Sequence, residues 1–379
     1  MKLVKKVLLA CCIGSIYFPL HADAQGIPHG WKTECVGYFQ ISVPGHVEIG
    51  VVRDNPDPSK GNHNFRSRAN NFYAESIYLG EVRTSTMLSK SSFLRIKKEK
   101  TKEVEELTRK LKTDQSIKIL SHEVNDSSIY TLFESKNRTF GSMFIYQAGR
   151  IFAYEQGGSK TKTTDEYIKN NFANFSENFR PRALYEVPQE KGFCMPYGFV
   201  RDDSPQKRSM GTIMRLKDHP DVRILFRDAS AIFEDNYPHK ENASVEMELR
   251  AFWERPDWDG VNYQALGFRK FPSVQMGGYK GQSTFVEITR PTRSSKELCS
   301  WGDEYFSKVE KKEAGCLPQT KDYGYIAYVK GDPDAKEDTP DLLLYVMQDS
   351  QNAPDGKPTI GKDELRKMAD TIAASIKRR

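Results

Sequence analysis

The 379-residue chain carries 57 Lys and Arg against 51 Asp and Glu, a formal net charge of +6, with 38% hydrophobic and 28% charged residues. That excess is too mild for a surface that tracks nucleic acid, and the basic residues from Lys97 to Lys112 and from Lys296 to Lys312 are interleaved with acidic ones, as on solvated helix faces. A chain of this length and composition is globular and exceeds what one hydrophobic core usually organises.

At the start, Lys2, Lys5 and Lys6 precede an apolar run from Val7 to Leu20, and Ala22-Asp23-Ala24 supplies the small-x-small pattern of a signal-peptidase site. This predicts a cleaved signal peptide over 1–24 and a mature protein beginning near Gln25, outside the reducing cytoplasm. Gly14, Ser15 and Pro19 interrupt the run, which is too short to span ~30 Å of hydrocarbon. Losing three lysines and one aspartate lowers the formal charge from +6 to +4. Leu8-Leu9-Ala10-Cys11 looks like a lipoprotein box, but the apolar stretch before Cys11 is shorter than the usual ~7 to 15 residues, so a lipid anchor at Cys11 is the minor reading.

Trp31 to Gly37 opens the mature chain, followed by a predicted strand Tyr38 to Val43, a tight turn at Pro44-Gly45 and a strand His46 to Val52. Phe93, Ile96, Val104, Leu107 and Leu111 sit near helical spacing, with Glu105/Arg109 and Glu106/Lys110 as exposed pairs. The period then changes to two: Ile129, Thr131 and Phe133; Phe140, Ser142, Phe144 and Tyr146; and, after a turn from Gln147 to Arg150, Phe152 and Tyr154. Ile168, Phe172, Phe175 and Phe179 form the stripe of an amphipathic helix behind Thr163-Thr164-Asp165-Glu166. Helical spacing stops at the linker expected from Arg182 to Glu190, where Pro188 appears.

A second start follows at Gly192-Phe193-Cys194 and Tyr197-Gly198-Phe199-Val200. Thr212 to Leu216 and Val222 to Phe226 flank the turn Asp218 to Asp221 as a hairpin. Phe285 to Ile288, Tyr323 to Val329 and Leu342 to Met347 are further strands, and Asp332 to Asp341 is an expected exposed loop. Leu365, Ala369, Ile372 and Ile376 repeat the earlier helical stripe, and Phe179-Arg180-Pro181-Arg182 lines up with Ile376-Lys377-Arg378-Arg379. The two halves thus share one plan. The expected fold is α+β, with two similar domains over 26–185 and 190–379, each an antiparallel sheet with helices on one face.

The mature chain keeps Cys35, Cys194, Cys299 and Cys316, an even number that suits two disulfides in an oxidising compartment. Three connectivities are possible. The short loop favours Cys299–Cys316, worth roughly 3 kcal/mol in the chain-entropy model, and leaves Cys35 for Cys194; four buried thiols are the alternative.

No chemistry stands out. His29, His46, His63, His122, His219 and His239 have no metal-binding spacing, and there is no C-x-x-C. Gly281-Gln282-Ser283-Thr284-Phe285 lacks the last glycine of a nucleophile elbow, and Gly277 to Gly281 precedes a strand, so it reads as a hairpin turn rather than a phosphate loop. Asp202/Asp203 has ordinary turn composition. No catalytic, cofactor or metal residues are therefore expected. Trp253, Trp258 and Tyr263, in a polar, turn-prone stretch, are the candidate partner-binding anchors, with core packing the alternative for Trp253.

Trp31-x-Thr33-Glu34-Cys35-Val36-Gly37 running into Val43-Pro44-Gly45, with Gly192-Phe193-Cys194 opening the second half and an amphipathic helix closing it, resembles the periplasmic immunity proteins that neutralise type VI secretion phospholipase effectors. The likeness covers the mature chain in plan, but its specific residues lie in the two cysteine motifs. It implies a non-enzymatic inhibitor whose two α+β domains form a claw that grips the lid region of a cognate lipase toxin in the periplasm. A periplasmic ligand-binding or envelope scaffold protein without activity would have the same signal and cysteines, and a divergent hydrolase would need a triad hidden from the sequence.

Overall fold

The period-two segments form antiparallel strands and the apolar stripes form helices, with Phe179 and Ile376 capping the two stripes just past the helix ends. The structure, a computed structural model, describes residues 27–51, 74–110, 117–202, 207–231, 244–253, 262–290, 320–335, 338–350 and 359–379. The first half contains β1 (Lys32–Val36), β2 (Phe39–Val43), β3 (Val47–Ile49), β4 (Ala74–Tyr78), β5 (Gly80–Thr84), α1 (Lys90–Lys110), β6 (Ile117–Val124), β7 (Ser128–Ser135), β8 (Arg138–Gln147), β9 (Arg150–Ser159), α2 (Asp165–Asn178) and β10 (Phe179–Pro181). The second contains β11 (Gly192–Met195), β12 (Gly198–Arg201), β13 (Arg208–Leu216), β14 (Val222–Ser230), α3 (Val245–Trp253), β15 (Asn262–Ala265), β16 (Ser273–Met276), β17 (Tyr279–Arg290), β18 (Thr320–Val329), β19 (Pro340–Gln348), α4 (Lys362–Ser375) and β20 (Lys377–Arg378).

One sheet takes strands from both halves, in the order β15-β17-β18-β19-β14-β13-β4-β5-β9-β8-β7-β6, with β16 continuing along β17 and β3 beside β13. From the joint outward the main strand order repeats, β4-β5-β9-β8-β7-β6 on one side and β13-β14-β19-β18-β17-β15 on the other, with β16 and β3 as additions to the second side. At the joint β4 and β13 pair antiparallel, Tyr78 opposite Arg208 and Ala74 opposite Thr212, the arrangement that a local two-fold axis gives. Two small sheets complete the plan by exchange. The first half's opening hairpin, β1–β2, is extended by β20 from the end of the second half, and the second half's opening hairpin, β11–β12, is extended by β10 from the end of the first.

Helices cover both faces of the sheet, not one. In β9, Phe152 and Tyr154 belong to the large shared core with Ile168, Phe172 and Phe175 of α2, whereas Ile151 and Ala153 pack with Phe93 and Ile96 of α1. In β19, Leu342, Leu344 and Val346 share the main core with Leu365 and Ile372 of α4, and Leu343, Tyr345 and Met347 pack with Leu249 and Phe252 of α3. The consecutive apolar residues of β19 are the sequence consequence of burial on both sides. Thr164 caps α2, its hydroxyl accepting from the Tyr167 N–H at 3.1 Å.

Two local expectations change. The first hairpin turns at Gly37-Tyr38 rather than Pro44-Gly45, and β3 crosses to pair with β13. Gly37 has φ +59°, and a Cβ there would lie 2.3 Å from an Asp228 carboxylate oxygen, so only glycine suits the turn. The end of the loop expected to be exposed turns inward: Asp341 is buried, Asp338 is partly so, and their carboxylates are drawn in by tyrosine and arginine partners. Cys35 and Cys194 are disulfide-bonded, with Cα atoms 5.7 Å apart, and join the two opening hairpins. Cys299 and Cys316 lie outside the described residues, as do the signal segment and Cys11.

Candidate binding surface

Charged residues in the interior do structural work around the exchange. Arg182, at the end of the first half, is buried against Glu34 and donates to the carbonyls of Cys35, Met195 and Gly198. Its counterpart Arg379 donates to the carbonyls of Gly192, Pro188 and Glu190 and touches both disulfide sulfurs, at 2.9 Å and 3.1 Å. Burial, and then the neighbouring Arg182 charge, pulls Arg379 down to about 10. The matching basic endings noted in the sequence are thus paired clamps on the cysteine hairpins.

Beside the sheet joint lies a second network. Arg208 is fully buried, donates to both Asp228 carboxylate oxygens at 2.9–3.1 Å, donates to Asp338 at 2.9 and 3.1 Å, and lies 4.7 Å from the centre of the Tyr38 ring. The Tyr38 N–H donates to Asp228, and the Tyr38 and Tyr78 hydroxyls both donate to Asp202, so that half of the Asp202/Asp203 pair is an acceptor for two phenols. Asp203 lies outside the described residues. Burial, with the Asp202 charge and its hydrogen bond, pushes both phenols well above the ordinary tyrosine range. A sealed arginine, three carboxylates and two neutral phenols hold the joint together.

Among the described residues no group of three or more His, Cys, Asp and Glu is placed to hold a metal ion. His46 packs edge-on against Tyr185, and His122 hydrogen-bonds Thr131 at 3.0 Å; His63 and His239 lie outside the described residues. Gly277 and Gly278, with φ +60° and +90°, make the tight β16–β17 turn expected of that glycine run.

The aromatic candidates divide. Trp253 closes the apolar face of α3 and is 4% exposed, packed edge-on to Phe252 and 6.1 Å from the Tyr263 ring. It is core, because α3 needs its last turn to cover β17 and β18. Tyr263, on the outer edge strand β15, is 37% exposed. Trp258 lies outside the described residues. Sequence reasoning passed over Phe268, which projects fully exposed from the loop between β15 and β16, with Arg269 and Lys270 after it. Met247 on α3 is also exposed, and Arg250 stacks on Phe271, 5.1 Å from its centre. The available signal was an aromatic next to glycine and two cations in a polar stretch.

With this geometry in place, the segment that opens the second half can be assigned. Residues 186–252 match the Tle cognate immunity protein 4 C-terminal domain. This is the family that the cysteine motifs resemble. The chain is also similar to the immunity protein TplEi of the type VI secretion system from Pseudomonas aeruginosa, solved with an "L" peptide: 18% identity, 93% of this chain and 99% of that one covered, TM-score 0.54. It resembles a chain of the Tle4–Tli4 complex at 16% identity, covering 92% and 98%, TM-score 0.57, and apo TplEi from Pseudomonas aeruginosa at 16%, covering 92% and 97%, TM-score 0.55. At these identities the likeness shows the fold, an α+β architecture with large antiparallel sheets. No curated protein sequence matches the chain. Among the described residues no helix is long and apolar enough to cross a membrane.

Proposed function

We propose that this chain is a periplasmic immunity protein that binds a cognate type VI secretion phospholipase toxin and blocks it without doing chemistry of its own. The observation that carries the proposal is the match of residues 186–252 to an immunity-protein domain, on a fold whose likeness to TplEi and to a chain of the Tle4–Tli4 complex extends over 92–93% of the chain. The polar interior supports it: the buried ionic groups are spent on joining the halves.

The two halves act as the arms of a claw that grips the toxin's lid region. Their duplicated plan supports this, as does sheet twist: at roughly 20° per strand pair, the outer strands of each half are carried far out of the plane of the β4–β13 joint. Tyr263, braced from below by Trp253, is an outer contact, with Phe268 and Met247 beside it in sequence or on the same face of the half; Trp258 falls between them in the chain. Such an interface needs at least ~1,000 Å² of buried surface. Export with cleavage near Gln25 delivers the protein to the compartment where the toxin acts.

The test is protection. Cells that direct the toxin encoded beside this gene to the periplasm should grow when the full chain is co-expressed and stop when residues 1–24 are deleted. Growth arrest despite the exported protein would refute the reading.

A further inference from the structure

The duplication supplies an internal template. Each opening hairpin carries a tyrosine three residues after its cysteine, Tyr38 after Cys35 and Tyr197 after Cys194, and each ring has an arginine against its face: Arg208 at 4.7 Å from Tyr38 and Arg150 at 3.7 Å from Tyr197. Around Tyr38 the arginine is saturated by Asp228 and Asp338. Around Tyr197 it is not. Among the described residues Arg150 has one hydrogen-bond acceptor, the Ser85 carbonyl at 2.8 Å, and no carboxylate within ion-pair distance. Burial is the main influence on its proton affinity and pulls it below the ordinary arginine range.

The difference has a structural origin. Asp338 arrives on the long connection between β18 and β19, whereas the equivalent connection between β8 and β9 is the two-residue turn Ala148-Gly149, both with positive φ. The place that a carboxylate fills in the second half is open to the outside in the first. Ala148 is exposed, Tyr197 is half-buried, and Met87, 64% exposed, lies over the turn. A guanidinium fixed by a ring face and one carbonyl, partly desolvated and still holding free donors, is preorganised for a two-pronged bond to a carboxylate.

We propose that Arg150, backed by Tyr197 and rimmed by Met87, is the receptor for an aspartate or glutamate side chain of the toxin. The inference rests on the immunity reading and names one of its contacts. The mature formal charge of +4 favours an acidic partner in the same sense.

The test measures toxin affinity for wild type, Arg150→Met, Arg150→Lys, Met87→Glu and Met87→Leu at two salt concentrations. Arg150→Met should weaken binding roughly 10- to 100-fold and flatten its salt dependence, and Arg150→Lys should restore only part of the loss because an ammonium cannot fork. Met87→Glu, at an exposed position that leaves the fold intact, should weaken binding by offering Arg150 a carboxylate of its own, whereas Met87→Leu should not. Wild-type affinity in both Arg150→Met and Met87→Glu overturns this inference and leaves the immunity reading standing. Failure of the wild type to bind the toxin overturns both.

Discussion

Replacing Cys35 and Cys194 together by alanine probes the closure that spans the two opening hairpins, separated by 159 residues of sequence. In the chain-entropy relation a loop of that size removes about 17 cal/mol/K from the unfolded chain, or about 5 kcal/mol at 25 °C. Measured losses of native disulfides run from about 2 to 5 kcal/mol, and the upper end applies here because the bond joins elements that the exchange separates in sequence. Both cysteines are buried, and Arg379 retains its carbonyl acceptors in the variant, so the native state loses little besides the bond. At an m-value of about 3 kcal/mol per molar urea, the variant's midpoint should fall by about 1.5 M. Urea unfolding of both proteins under oxidising conditions, followed by tryptophan fluorescence, reads the shift. Midpoints within about 0.3 M of one another would refute the reasoning that this bond constrains the unfolded chain.

Two further perturbations address the interior. Arg208→Met leaves the buried Asp228 carboxylate without its cation, while Asp338 keeps Arg378 at 2.8 Å, and should cost about 3–5 kcal/mol in the same unfolding assay; Arg208→Lys should not restore wild-type stability, since one ammonium cannot fork onto both carboxylates. Tyr130 is pushed up to about 12, first by burial and then by the charges of Glu123 and Asp165. The folded state therefore holds this phenol proton more tightly than the unfolded chain, whose pKa is about 10, so the contribution is complete below pH ~10 and is lost as the pH rises toward ~12. The phenolate absorbance of wild type minus Tyr130→Phe should emerge near pH 12, and a difference signal already present at pH 10 would contradict the burial argument.

Much of the fold was written in local periodicity. The stripes Ile168/Phe172/Phe175 and Leu365/Ala369/Ile372 have one apolar face each, so their helices were legible, as were the repeated basic endings and the two cysteine starts. Partner choice was not: β20 is two residues long, and nothing local says that it pairs with β2 at the far end of the chain. Pro44-Gly45 drew the first turn assignment because it is the stronger turn dipeptide, yet the hairpin closes at Gly37, where backbone and Asp228 leave no room for a side chain. The unbroken apolar run Leu342 to Met347 carries the mark of burial on both faces, yet the sequence reading makes it only a strand of a sheet covered on one face, because the helix over the second face is short. The Arg150–Tyr197 contact depends on a tyrosine and an arginine 47 residues apart meeting through tertiary structure; its only sequence trace was the repeated Cys-x-x-Tyr spacing.

The most direct measurement of the central claim is a titration of the toxin's phospholipase activity with the purified mature protein. The account predicts that hydrolysis falls linearly to zero at one equivalent, that the two proteins then elute together, and that the mature protein alone hydrolyses no phospholipid. Full hydrolysis in the presence of excess mature protein would contradict it.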